Sequence, residues 1–235
     1  MCCYNVKSNF GNTPDIPKDI YICYKTIDAL PKRVAQRWKD MNPEYNVYVY
    51  GDKECIEFLE KNYPPKYADF FRKIKYGPIK ADFWRLCILY KNGGIYVDAD
   101  AVPIVPLRDF LEDGISFCTS LEYGDNLNPM FIASEPKNEL VKNMLDRMIS
   151  KNPKGGYWYL SVTGIAMKSF KELFGLNPRK YGSALYERNG KLYQILEETN
   201  DVNRWLLHHY YLSYKGKKVI KNRDDEYDGH RHKFT

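Results

Sequence analysis

A chain of 235 residues with 44% hydrophobic content can bury a substantial core, which excludes a disordered chain. A net charge of +6, from 36 Lys/Arg against 30 Asp/Glu, is moderate, and no nucleic-acid partner is expected from it. No apolar run reaches the roughly 18 residues of a membrane span, and the opening "MCCYNVKSNFGNTPD" lacks the apolar region of a signal peptide, so a soluble, cytoplasmic protein is expected.

In chain order, "DIYICY" (19–24) is a predicted strand, and "LPKRVAQRWKDMN" (30–42) places Leu30, Val34, Trp38 and Met41 at helical spacing ahead of Pro43. "NVYVY" (46–50) is a second strand, followed by a helix over 52–63 with Asp52 as its expected N-cap. This β-α-β-α alternation predicts an α/β fold with a mixed, mostly parallel sheet flanked by helices. "GPIKADFWRLCILYKNGG" (77–94) is a further helix, with Pro78 in its first turn and Gly93-Gly94 after its last. The strand "IYVD" follows at once. Strands are predicted over 115–121 and 129–134, and helices over 137–150 and 161–175. "SALYERNGKLYQIL" (183–196) flanks Asn189-Gly190, the residue pair a type I′ hairpin turn favours because both positions need positive φ. "WLLHHYYLSY" (205–214) reads as a late strand.

The six cysteines, Cys2, Cys3, Cys23, Cys55, Cys87 and Cys118, show no C-x-x-C spacing and read as reduced, buried thiols. Residues 215–235 form a basic tail, with seven Lys/Arg against four Asp/Glu, suited to peripheral contact with an anionic membrane surface. The 21 tyrosines offer amphipathic rings, most of them expected at the edge of the core.

The chemistry concentrates in "GGIYVDADAVPIV" (93–105), where Asp98 and Asp100 end a strand at the edge at which α/β proteins bind ligands. In an extended segment, residues i and i+2 share a side, so both carboxylates are expected to project together. Two adjacent anions repel unless a cation lies between them, and carboxylates of this kind suit Mg²⁺ or Mn²⁺ together with ligand phosphates. Asp82 and Arg85, three apart on the preceding helix, share a face that is expected beside the same crevice. There Asp82 is expected to accept from a sugar hydroxyl and Arg85 to donate to a sugar or phosphate oxygen.

The segment "IKADFWRLCILYKNGGIYVDADAV" resembles the D-x-D sugar-binding region of glycosyltransferase family 32. "IPKDIYICY", "VTGIAM" and "HHYYLSY" resemble further pieces of that family in order, with Ile165 in place of a proline and Tyr210 and Tyr214 in place of tryptophans. The resemblance implies one GT-A-type (Rossmann-like) domain, with its core at about 16–214, that transfers a sugar with retention from a UDP- or GDP-linked donor to a glycan, lipid-linked or protein acceptor. It implies catalytic roles for Asp98, Asp100 and Arg85, and nucleotide-sugar binding by Tyr24, Asp82, Arg85, Gly94, Asp98, Ser213 and Tyr214. Mn²⁺ or Mg²⁺ would be held by Asp100, Asp98 and His208, with Tyr24 stacking on the base.

Two other readings compete. A haloacid dehalogenase-like phosphotransferase also ends a strand in Asp-x-Asp, with the first Asp as phosphoryl acceptor and Asp224-Asp225 as later metal-binding acids. A non-catalytic nucleotide-sugar-binding module is the other.

Overall fold

Alternating aliphatic and tyrosine side chains draw Asp19–Cys23 (β1) and Asn46–Tyr50 (β2) into parallel strands, joined through the amphipathic helix Lys32–Met41 (α1). The computed structural model describes residues 16–122, 126–178, 183–200 and 210–221. Helix Asp52–Asn62 (α2) starts one residue earlier than expected, with Gly51 as its N-cap. The Glu54 carboxylate reaches back to the Gly51 N–H at 3.0 Å, while Asp52 pairs with Lys80 instead of capping. A short helix absent from the sequence reading, Lys66–Lys73 (α3), follows the Pro64-Pro65 pair. Gly77–Asn92 (α4) then crosses back over the sheet.

Gly93 and Gly94 reverse the chain at φ 70° and 93° and deliver it into Gly94–Val97 (β3), which lies parallel to β1. A Cβ on Gly94 would sit 2.7 Å from the Asp19 carbonyl oxygen and 2.9 Å from the Tyr21 ring, so glycine is what allows β1 and β3 to pair this closely. Beyond the D-x-D segment come Val102–Pro103 (β4), Ile115–Leu121 (β5) and Leu127–Ser134 (β6). Helices Glu139–Ile149 (α5), Tyr157–Leu160 (α6) and Val162–Phe174 (α7) follow. The strands Ala184–Arg188 (β7), Lys191–Asn200 (β8), Tyr210–Tyr214 (β9) and Lys217–Lys221 (β10) end the described chain. The β7–β8 hairpin turns at Asn189 and Gly190, both with positive φ.

The strands form one mixed sheet in the order β2-β1-β3-β6-β5-β8-β9-β10-β4, with β7 beside β8. Pairing is parallel where β1 meets β2 and β3 and where β5 meets β8, and antiparallel elsewhere among the described strands. Because β4 follows the D-x-D segment directly yet pairs with β10, the sheet curls so that its far end returns to that segment. The carboxyl ends of β1, β3, β5 and β8 therefore share one edge with the start of β9.

Strand alternation divides the core in two. Tyr21, Tyr96, Phe117 and Tyr193 face α2, α3, α4, α5 and α7, where Trp84 packs against Tyr50 at 4.6 Å between ring centroids. Ile20, Ile22, Ile95 and Val97 face the other way, against Val34 and Trp38 of α1. Cys23, Cys55, Cys87 and Cys118 are buried free thiols, as expected, whereas Cys2 and Cys3 lie outside the described residues. No described helix is long and apolar enough to cross a membrane. Most of the basic tail, residues 222–235, also lies outside the described residues.

Candidate active site

Asp98 leaves β3 at the carboxyl edge with its N–H donating to the Met130 carbonyl at 2.8 Å. The chain does not stay extended. The Ala101 N–H bonds the Asp98 carbonyl at 3.0 Å and closes a turn, so the alternation expected to align the two carboxylates gives way to a tight loop that carries both. One Asp98 oxygen, Oδ1, accepts from Arg85 Nη2 at 2.9 Å and from the Tyr96 hydroxyl at 2.9 Å. The side chain nonetheless remains 30% exposed.

Helix α4 supplies the counter-charge. Arg85 Nη2 also meets Asp82 Oδ1 at 2.9 Å, Nη1 donates to the Pro129 carbonyl at 2.5 Å, and the guanidinium lies 4.2 Å from the centroid of the Tyr96 ring. Asp82 Oδ2 accepts the Val162 N–H at 3.1 Å, which ties the start of α7 to the cluster. The Arg85 side chain is only 4% exposed and its donors go to protein acceptors. In this structure Arg85 and Asp82 are thus joined to Asp98 in one ion-paired cluster beside the D-x-D loop.

One guanidinium serves two carboxylates, so this largely buried triad carries one unbalanced negative charge when both carboxyls are ionised. Burial pushes the Asp98 carboxyl up to about 7, with the charges of Asp100 and Asp82 adding and Arg85 and the Tyr96 hydroxyl opposing. Burial also raises Asp82, against the pull of Arg85 and the Val162 N–H. Burial works to lower the Arg85 pKa, but Asp98, Tyr96 and Asp82 outweigh it and raise the pKa, keeping the guanidinium charged.

The other expected ligands divide by edge. Tyr24 follows β1 at the same carboxyl edge as Asp98, half-buried, with its N–H on the Tyr50 carbonyl at 2.9 Å. Gly94 begins β3, at the end opposite Asp98, where it packs closely against Asp19 and Tyr21 of β1. Tyr214 is likewise at the far edge, its hydroxyl donating to Glu112 Oε1 at 2.6 Å. Ser213 is buried inside the sheet with its hydroxyl 2.6 Å from that of Thr199. His208, with His209, His230, His232, Asp224 and Asp225, lies outside the described residues.

A divalent cation fits the donor set. The Asp98–Asp100 loop offers hard carboxylate oxygens beside a surplus negative charge, and Mg²⁺ and Mn²⁺ are commonly held by one or two carboxylates with the remaining positions left to water and phosphate. Among the described residues no three His, Cys, Asp or Glu side chains converge, so a cage of protein ligands alone is not formed there.

Residues 30–117 match the family described as "Glycosyltransferase sugar-binding region containing DXD motif". The sugar-binding region contains Asp82, Arg85, Asp98 and Asp100, while Tyr24 and the β9 residues fall outside it. The initiation-specific alpha-1,6-mannosyltransferase of Candida albicans is 35% identical over 112 residues, 44% of this chain and 29% of that protein. Mannosyl phosphorylinositol ceramide synthase SUR1 of Saccharomyces cerevisiae is 38% identical over 87 residues, 36% of this chain and 22% of that protein. The chain thus matches about a quarter of the length of these relatives. Its fold is similar to that of the solved PaToxG glycosyltransferase, with a TM-score of 0.54 and 16% identity over 67% of this chain and 68% of that one. The GT-A-like α/β architecture expected from the sugar-binding region is the one the chain adopts.

Proposed function

We propose that this chain carries the donor site of a divalent-cation-dependent, retaining glycosyltransferase that moves a mannosyl unit from a nucleoside-diphosphate sugar to a glycan or glycolipid hydroxyl. The observation that carries the reading is the D-x-D loop at the carboxyl edge, backed by a buried triad in which Arg85 neutralises only one of two carboxylates. The mannosyl specificity is taken from the relatives named above, whose own names describe mannosyl transfer.

In this reading Arg85 and the Tyr96 hydroxyl fix Asp98 through Oδ1, and the orientation of the other oxygen follows from those two bonds. Asp100, two residues on in the turn, adds the second carboxylate, and Asp98 and Asp100 together would hold Mn²⁺ or Mg²⁺. When bound, such an ion supplies positive charge that a departing nucleoside diphosphate needs more in the transition state than in the ground state. Tyr24 offers its ring to the nucleobase from the end of β1. Asp82 keeps Arg85 from turning outward and, through the Val162 N–H, holds the start of α7 against the site.

The test is a panel of UDP- and GDP-sugars with Mn²⁺, scored for slow hydrolysis without acceptor. GDP-mannose is expected to be cleaved. EDTA and Asp100→Ala are each expected to reduce that hydrolysis by two orders of magnitude or more, with the far-ultraviolet circular dichroism of the variant unchanged. Undiminished hydrolysis in EDTA would sink the cation role.

A further inference from the structure

Among the described residues most large apolar side chains are buried, but a cluster of aromatic rings stands out of the surface beside the D-x-D edge. Trp158, on α6, is 83% exposed and Tyr159 is 51% exposed. Tyr157 makes an edge contact with Trp158 at 5.2 Å between centroids and with Tyr76, the residue capping α4, at 5.8 Å. Exposed aromatic groups of this size, brought together from two distant segments, are unusual on a soluble surface unless something covers them.

Their position is fixed by the site itself. Helix α6 runs through Ser161 into α7, whose Val162 N–H is bonded to Asp82. Tyr76 opens the helix that carries Asp82 and Arg85. Burial raises the Tyr157 hydroxyl, and the charges of Asp82 and Asp98 raise it further, which is consistent with a ring close to those carboxylates. Tyr24 packs with the core on one face of the sheet and Tyr157 with the core on the other, so the two aromatic groups approach the edge bearing Asp98 from opposite sides.

We propose that Tyr76, Tyr157 and Trp158 form the subsite that receives the acceptor, stacking on the apolar face of a hexose ring. This rests on the donor-site reading above: with the nucleobase on Tyr24, the α6 side of the same edge is available to the acceptor ring. Sugar rings present C–H groups on one face and hydroxyls at the rim, and an amphipathic ring pair with phenolic hydroxyls matches both.

The test uses the whole chain and three disaccharides, mannobiose, cellobiose and lactose, titrated by calorimetry. At least one is expected to bind. Trp158→Ala is expected to weaken it about tenfold, the scale of one lost aromatic contact, while Trp158→Phe, which keeps a ring, stays within about threefold. Where GDP-mannose is turned over, the ratio of transfer to hydrolysis in Trp158→Ala should fall by a similar factor. Unchanged disaccharide affinity in Trp158→Ala, or no binding of any of the three to the wild type, overturns the proposal. So does loss of binding to phosphatidylcholine–phosphatidylserine vesicles in Trp158→Ala with disaccharide affinity intact, since the cluster would then be a membrane contact. Failure of the donor reading shows separately, as absent nucleotide-sugar hydrolysis while disaccharide binding persists.

Discussion

Replacing Arg85 with methionine is expected to be among the most damaging single changes at the site, and the reason is charge, not volume. The guanidinium is the shared partner of Asp82 and Asp98 at 2.9 Å each, lies over Tyr96 and donates to the Pro129 carbonyl. Methionine fills much of the same space but leaves two carboxylates facing each other in a poorly solvated pocket. Breaking a buried pair from one side typically costs about 3–5 kcal/mol. For a chain of this size each kcal/mol moves the melting midpoint by about 2–4 °C, so a drop of about 6–20 °C is expected. Asp82→Asn is the contrasting change. It keeps an oxygen for the Val162 N–H and leaves Arg85 paired one-to-one with Asp98, so it should cost only about 1 kcal/mol. The pH dependence has a definite sign. Carboxyls whose folded pKa is raised cost stability progressively as pH climbs from the unfolded value toward the folded one, and losing Arg85 removes a group that lowers the Asp98 carboxyl, so the Arg85→Met deficit should be small near pH 4 and still growing past about pH 7. Differential scanning calorimetry across that range, with urea midpoints at constant m-value, provides the measurement. If Arg85→Met loses less than about 1 kcal/mol at pH 8, or Asp82→Asn is as damaging, the half-neutralised triad is not what organises this edge.

Two further expectations concern the same loop and the strand that leads to it. With the Asp98 carboxyl pushed up to about 7, protons compete with a cation below that pH. Mn²⁺ affinity should therefore fall severalfold from pH 7 to pH 6, with close to one proton released per ion at pH 6 and few at pH 8; calorimetry in buffers of different ionisation enthalpy reads both, and a dissociation constant indifferent to pH would refute the coupling. Gly94→Ala combines φ 93° with a Cβ 2.7 Å from the Asp19 carbonyl, so it should cost at least about 2 kcal/mol by urea denaturation; an unchanged midpoint with weakened nucleotide binding would instead make Gly94 a ligand contact.

Much of the architecture is legible in local sequence because its causes are local. Pro78 in a first turn, Gly93-Gly94 after a last one and Asn189-Gly190 in a hairpin each act through φ values that few other residues adopt, and the structure places its elements around them. The D-x-D motif is legible for the same reason: its spacing and its place after an apolar strand are properties of a dozen consecutive residues. Helix α3 escaped because its eight residues offer only Ala68, Phe70 and Phe71 as a buried face, too short a run to show a period. Helix α6 is shorter still, and the two-residue strand β4 pairs with the distant β10.

What the chain's own order determined, then, was where most of the longer strands and helices lie and that two acids follow the third strand at its carboxyl edge. Tertiary structure decided which groups those acids meet. Arg85 and Asp82 carry charges that suit a phosphate or a sugar, but packing of α4 under β3 and α7 turns both inward toward Asp98 and the Val162 amide. Tyr214 spends its hydroxyl on Glu112, 102 residues away, because β9 runs from the site edge to the opposite one. The physical reason is that helical and turn preferences act over a few bonds, whereas a buried charge takes its nearest compensating partner in space, whatever separates the two along the chain.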